Sequence, residues 1–187
     1  MKINIARIYY PVTTLGPGKR VGIWLCGCPF NCEDCISSEL KDINIGKEIS
    51  INEIVNWVCS LGDKVEGITI SGGEPFYQFE ELLGLLKRLN DFFQDIIVFT
   101  GYRYEELIFG EKKRCSEAFK YISLLIDGRF EKNKICSCGL RGSSNQRIIK
   151  FKDIYLNIDF YKMEKRIQVV YFNDNFLEIG IPGGNIW

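Results

Sequence analysis

The chain has 187 residues, 46% of them hydrophobic, with 24 basic and 24 acidic side chains, a formal charge of zero and no histidine. That size and apolar content suit one packed domain burying roughly 70% of its unfolded surface, and a neutral balance without blocks of like charge argues against nucleic-acid or anionic-membrane partners. Without histidine there is no Ser-His-Asp or Cys-His nucleophile system, no His-containing zinc site and no two-His-one-carboxylate iron site, so chemistry falls to thiolates, carboxylates or a cofactor.

The opening Met1-Lys2-Ile3-Asn4-Ile5 has no long apolar region of the signal-peptide kind, and no later apolar run approaches the ~20 residues of a membrane span, so a cytoplasmic protein is expected. Eight cysteines in a cytoplasmic chain of this length point to metal binding rather than disulfides. Arg20 to Leu25 (RVGIWL) reads as a strand delivered into the run Gly27-Cys28-Pro29-Phe30-Asn31-Cys32-Glu33-Asp34-Cys35. Cys28, Cys32 and Cys35 supply three ligands. A [4Fe–4S] cluster on three thiolates keeps one iron open to substrate, as catalytic zinc sites keep a position open. The competing reading adds Cys26 as a fourth thiolate of a closed zinc site, although Cys26 stands nearer Cys28 than zinc ligands usually do.

Ser50 with Glu53 forms a capping box for a helix in which Ile51, Ile54, Val55 and Val58 recur at helical spacing, with Cys59 as a buried structural thiol. Gly67 to Ile70 is a short strand ending at Ser71-Gly72-Gly73-Glu74-Pro75. Phe79, Leu82, Leu83, Leu86, Leu89 and Phe93 trace an amphipathic helix of about fifteen residues. Asp95 to Thr100 is the next strand, Tyr104 to Phe109 with Ser116 to Lys120 a broken helix, and Tyr121 to Ile126 a further strand. Arg166 to Phe172 and Phe176 to Ile181 flank Asn173-Asp174-Asn175, a hairpin signal expected to cover an exposed sheet edge or to dock a partner.

Repeated β-α units give an α/β fold with parallel strands and outer helices, and such sheets bind ligands at the carboxyl ends of the strands. The cysteine loop, the Ser71-Gly72-Gly73-Glu74 turn, Thr100-Gly101-Tyr102 and Asp127-Gly128 all follow strand ends and are expected to converge on one edge. Ser71, Thr100 and Asp127 are therefore candidate cofactor contacts. Gly72-Gly73 is open to two readings, a tight turn or a close backbone approach to a ligand, with Glu74 accepting from a cationic amine. Cys136-x-Cys138 likewise reads either as part of a second cluster or as incidental loop thiols.

Cys28-x3-Cys32-x2-Cys35, followed some forty residues later by Gly72-Gly73-Glu74-Pro75, resembles the radical S-adenosylmethionine enzymes. Gly16-Pro17-Gly18, Thr100-Gly101-Tyr102 with Glu105-Glu106-Leu107, Leu125-Ile126-Asp127-Gly128-Arg129-Phe130 and Arg141-Gly142-Ser143-Ser144-Asn145-Gln146 are similar, in order and spacing over residues 7 to about 149, to the activating proteins of anaerobic ribonucleoside-triphosphate reductase.

The resemblance implies a partial (β/α) barrel of the radical S-adenosylmethionine type over residues 1–149, with residues 150–187 as a C-terminal β-hairpin extension packed on the same domain. It implies a [4Fe–4S] cluster on Cys28, Cys32 and Cys35 whose open iron is chelated by S-adenosylmethionine. Gly72, Gly73 and Glu74 would line the methionine end, and Asp34 to Ile36 would border the adenosyl part. In place of the aromatic residue that family members commonly carry beside the last cluster cysteine, this chain has Asp34 and Ile36. Flavodoxin or a similar low-potential reductant would reduce the cluster, and the 5′-deoxyadenosyl radical would take hydrogen from a glycine α-carbon of the partner reductase. Other readings are a radical enzyme acting on a different glycyl radical enzyme, peptide or small molecule, and a non-enzymatic iron–sulfur or zinc module.

Overall fold

In the computed structural model, residues 1–110, 113–172 and 175–183 are described. The chain opens with β1 (Lys2–Val12) and β2 (Arg20–Leu25), then β3 (Lys47–Ser50), α1 (Ile51–Ser60) and β4 (Gly67–Gly72). Next come α2 (Phe79–Asn90), β5 (Ile96–Phe99), α3 (Tyr104–Phe109), a 3-10 helix over Lys113–Lys120, β6 (Leu124–Asp127), β7 (Arg147–Lys150), β8 (Ile167–Phe172) and β9 (Asn175–Gly180). The first seven strands form one sheet in the order β3-β1-β2-β4-β5-β6-β7, and β8 pairs with β9 alone. The four central strands, β2, β4, β5 and β6, run parallel, while β1, β3 and β7 join antiparallel. The three antiparallel strands went unread in the sequence because they are half-exposed and carry no clean alternation.

Side-chain alternation along the central strands builds two cores. Val21, Ile23, Leu25, Ile68, Ile70, Ile96, Val98 and Leu125 face one way and pack with Ile54, Val55 and Val58 of α1 and Leu82, Leu85, Leu86 and Leu89 of α2. Trp24, Ile97, Leu124 and Ile126 face the other way, where Tyr155, Phe160 and Ile179 of the C-terminal segment cover them. Both faces are therefore dry, which is why these strands read as unbroken apolar runs. The β8–β9 pair lies on this second face: Gln168 Nε2 donates to Pro11 O at 2.8 Å, and Thr14 Oγ1 donates to Ile179 O at 2.9 Å. The expectation that it covers an edge is thereby corrected, since the edges of the sheet are β3 and β7. The residues joining β8 to β9, Asn173 and Asp174, lie outside the described residues.

α1 starts as read, with Ser50 N donating to Glu53 Oε2 at 3.0 Å, and Cys59 is half-buried against the first core. α2 is shorter than its apolar spacing suggested, with 12 residues, because Asp91 ends it and Phe93 joins the core from the following turn. At the amino ends of the parallel strands, Arg20 is fully buried. Its guanidinium donates to both carboxylate oxygens of Asp95 at 2.7 Å, to Thr69 Oγ1 at 2.7 Å, and to the carbonyls of Pro17 at 2.9 Å and Ile68 at 2.8 Å. With its donors so fully matched, the buried charge is tolerated. That knot pins the edge of the sheet opposite the cysteine loop.

Candidate active site at the carboxyl edge of the parallel strands

β2 and β4 end side by side, with Leu25 opposite Gly72 in the parallel register. The chain leaves β2 through Gly27, whose φ of +86° only glycine adopts cheaply. From there it is stitched to the segment after the cysteines: Gly27 N donates to Leu40 O at 2.9 Å and Cys28 N to Lys41 O at 3.1 Å. The loop from Cys28 to Cys35 is thus a closed excursion anchored at both ends. All three of its thiols are half-buried.

The turn after β4 docks directly on this loop. Gly73 N donates to Leu25 O at 2.9 Å and Glu74 N to Gly27 O at 2.8 Å. A Cβ on Gly73 would stand 2.4 Å from Gly27 O and 2.8 Å from Leu40 O, and one on Gly72 2.3 Å from Leu25 O. The close approach that requires these glycines is therefore to the chain's own backbone, at the root of the cysteine loop.

Glu74 is fully buried. Oε1 accepts from Phe76 N at 2.9 Å and Thr100 Oγ1 at 2.8 Å, and Oε2 accepts from Gly101 N at 2.6 Å. The carboxylate ties the ends of β4 and β5 together, and Thr100, itself buried, passes the link on by accepting from Tyr102 N at 3.1 Å. Asp127, at the end of β6, is 1% exposed and accepts from Tyr104 N at 2.7 Å and from the Arg147 guanidinium. Gly128 N donates to Tyr102 O at 3.0 Å. Thus all four strand-end turns read from the sequence meet on one edge. Glu74, Thr100 and Asp127 meet there as the bonds that join the turns.

The cysteine loop is held from the side as well. Phe30, between the first two thiols, packs edge-to-face on Tyr102 at 4.7 Å between ring centroids, and a Cβ on Gly101 would strike the Phe30 ring at 2.6 Å. The Arg129 guanidinium lies 4.4 Å over the same ring. Asp34, at a φ of +52°, is exposed and pairs with Lys132 at 2.7 Å; Ile36 is 62% exposed, and Ser71 half-buried beside Trp24. Phe30, Tyr102, Arg129 and Lys132 were not singled out as site residues. Their roles depend on contacts between distant segments, and the only local signal was their place beside strand ends.

Electrostatically, the loop favours the neutral form of the Cys28 and Cys32 thiols. Burial first, then the nearby charges of Glu74, Cys35 and Cys32, push the Cys28 thiol up; burial and then Cys35 do the same for Cys32. Burial, then Glu74, moves the Tyr102 hydroxyl up to about 12. Cys26 stands apart: it is fully buried, and its sulfur lies 2.5 Å from where a Gly46 Cβ would be. Its burial against Gly46 argues against Cys26 joining the half-buried loop thiols as the fourth thiolate of a closed zinc site. Among the described residues, no three His, Cys, Asp or Glu side chains stand together at the spacing of a single metal ion. The donor set fits an iron–sulfur cluster by its chemistry: three half-buried free thiols on one loop anchored at both ends. Cys136 and Cys138 are unpaired, one half-buried with its thiol toward Arg141 O at 3.6 Å, the other exposed.

A family model described as a 4Fe-4S single cluster domain matches residues 14–149. The chain is 32% identical over 151 residues to the anaerobic ribonucleoside-triphosphate reductase-activating protein of Enterobacteria phage T4, covering 78% of this chain and 93% of that one. The proteins of the same name from Haemophilus influenzae and Escherichia coli K12 are also 32% identical, over 77% and 74% of this chain and 96% and 93% of theirs. Among solved structures, QueE from Escherichia coli aligns with a TM-score of 0.47 at 19% identity, over 54% of this chain and 53% of that one, too slight a likeness to bear on the argument.

Proposed function

The chain belongs to the family of anaerobic ribonucleoside-triphosphate reductase-activating proteins, and from that premise we propose that it is a radical S-adenosylmethionine activase that installs a glycyl radical on an anaerobic ribonucleoside-triphosphate reductase. The observation that carries this reading is the docking of the Gly72-Gly73-Glu74 turn, by two backbone hydrogen bonds, onto the root of a loop bearing three thiols.

In this reading Cys28, Cys32 and Cys35 hold a [4Fe–4S] cluster with one open iron. The backbone of Ser71, Gly72 and Gly73 would hold the methionine end of S-adenosylmethionine and Asp34 to Ile36 would border its adenosyl part. Together, cluster and S-adenosylmethionine supply one-electron cleavage of the sulfonium and hydrogen abstraction from a glycine. Glu74 acts through the turn, because its oxygens are engaged by Phe76, Thr100 and Gly101. Thr100 and Asp127 keep the ends of β5 and β6 in place beneath the loop. No residue of this chain has to move a proton, which agrees with the absence of histidine.

The wider reading includes a partial (β/α) barrel, an activase-like domain over residues 1–149 with a C-terminal extension beyond it, a cytoplasmic location, and flavodoxin or a similar low-potential carrier as reductant. The end of the family match at residue 149 supports the division. Among the described residues no helix is long and apolar enough to cross a membrane.

Electron paramagnetic resonance of the anaerobically reconstituted, reduced protein tests the assignment. A [4Fe–4S]⁺ signal that changes on adding S-adenosylmethionine is expected, followed by a glycyl radical when the partner reductase is supplied. A signal indifferent to S-adenosylmethionine would indicate electron transfer instead, and stoichiometric zinc without a signal would indicate a structural module.

A further inference from the structure

The loop Arg141–Gln146 has no part in the chemistry above, yet it is tied closely to the segment that follows β6. Asn145 Nδ2 donates to Arg129 O at 2.8 Å, Gln146 Nε2 to Gly128 O at 2.8 Å, and Glu131 N to Ser143 Oγ at 3.1 Å. The loop is stiffened from within: Arg141 Nη1 donates to Ser144 O at 2.8 Å, and Gly142 N and Ser143 N donate to Gln146 Oε1 at 2.8 and 3.1 Å.

The segment held in this way crosses the cysteine loop and touches it at three points. Arg129 covers the ring of Phe30, which stands between Cys28 and Cys32 in the loop. Lys132 Nζ bonds Asp34 Oδ2 at 2.7 Å and Glu33 Oε1 at 3.1 Å. The two carboxylates offset the charge of Lys132. Arg129 pairs with no carboxylate among the described residues, so its charge stands over Phe30, between Cys28 and Cys32, without a local counter-ion.

Resting on the cluster reading above, we propose that the strap Arg129–Lys132, braced by Arg141–Gln146, sets the reduction potential of the cluster held by Cys28, Cys32 and Cys35, with Arg129 as its main lever. Reduction adds one electron and so one negative charge to the cluster. A fixed cation beside the loop that carries the ligand sulfurs stabilises the reduced form more than the oxidised one and so raises the potential. Because Arg129 is solvent-exposed, salt screens its share.

The test uses the full chain, reconstituted anaerobically and titrated against solution potential without S-adenosylmethionine, with the reduced-cluster resonance as readout. Arg129→Gln, at full iron content, is expected to disfavour reduction about three- to tenfold, a midpoint roughly 28 to 59 mV more negative at 59 mV per decade for one electron. Arg129→Lys keeps the wild-type midpoint, high salt narrows the gap, and Asn145→Ala, which frees the Arg129 carbonyl, moves it in the same direction as Arg129→Gln. An unchanged midpoint in iron-replete Arg129→Gln overturns the proposal. Iron loss in Arg129→Gln but not in Arg129→Lys also overturns it, by making the strap an assembly element. A wild-type protein that forms no cluster would sink the cluster reading itself, and shows as a missing signal in every variant.

Discussion

Adding one methyl group at Gly73 tests whether the turn after β4 serves the site by docking on the cysteine loop. In Gly73→Ala the new Cβ would meet Gly27 O at 2.4 Å and Leu40 O at 2.8 Å. Both are backbone atoms at the root of the loop, so no side chain can swing aside. Relieving the closer contact to about 3.2 Å needs the two segments to part by roughly 0.8 Å, given how rarely a real Cβ lies nearer than that. That displacement stretches the bonds from Gly73 N to Leu25 O and from Glu74 N to Gly27 O beyond hydrogen-bonding length. Two net hydrogen bonds at about 1 kcal/mol each, with overpacking strain of about 1–3 kcal/mol, come to roughly 3–5 kcal/mol. For a chain of this length that lowers Tm by about 6–20 °C. Anaerobic thermal unfolding of the metal-free chain measures the loss, and iron content after reconstitution measures its consequence for the loop. A Gly73→Ala protein that melts within about 2 °C of wild type and loads a full cluster would refute the docking argument.

Glu74→Gln is expected to destabilise the protein by about 1–3 kcal/mol, because an amide NH2 must then face the Gly101 N–H or lose the Thr100 and Phe76 bonds; urea unfolding measures it, and a variant of wild-type stability that has lost only S-adenosylmethionine affinity would show that the carboxylate reaches the ligand. Alanine at Cys28, Cys32 or Cys35 abolishes cluster assembly, whereas Cys26→Ala and Cys59→Ala cost about 1 kcal/mol as core truncations and keep their iron; iron and sulfide analysis separates the two groups, and iron loss in Cys26→Ala would reinstate it as a ligand. The hydrogen bond from Arg147 holds the Glu105 carboxyl down at about 2. A folded value below the unfolded 4.5 means a stabilising contribution that is present above pH 4.5 and lost as pH falls toward 2, small because the pair is exposed and screened. In low salt the stability gap between wild type and Glu105→Gln should hold from pH 7 to 4.5 and then close, and a gap unchanged at pH 2 would contradict the pairing.

The sequence by itself determined the parallel centre of the fold and the identity of the thiols. Strands buried on both faces must be apolar at every position, so RVGIWL and its successors were visible as runs, and the capping pair Ser50 and Glu53 marked a helix start from three residues of spacing. The cysteine trio stood out for the same local reason, since thiols proposed as ligands of one metal group on one loop are neighbours in the chain. What only the tertiary structure decided concerns contacts between segments far apart in sequence. Gly72 and Gly73 were open to two readings, a tight turn or a close approach to a ligand, and the structure adds that they are seated against the backbone of Leu25, Gly27 and Leu40. Glu74 looked like an amine acceptor, and it joins two strand ends across 26 and 27 residues to Thr100 and Gly101. The strap from Arg129 to Lys132 and the buried Arg20–Asp95 pair, 75 residues apart, left no local signature. A hydrogen bond or ion pair has no period along the chain, and its partner is set by how the layers pack. Spacing in a sequence therefore reveals a ligand set, while the groups that hold that set in place appear only once the chain has folded.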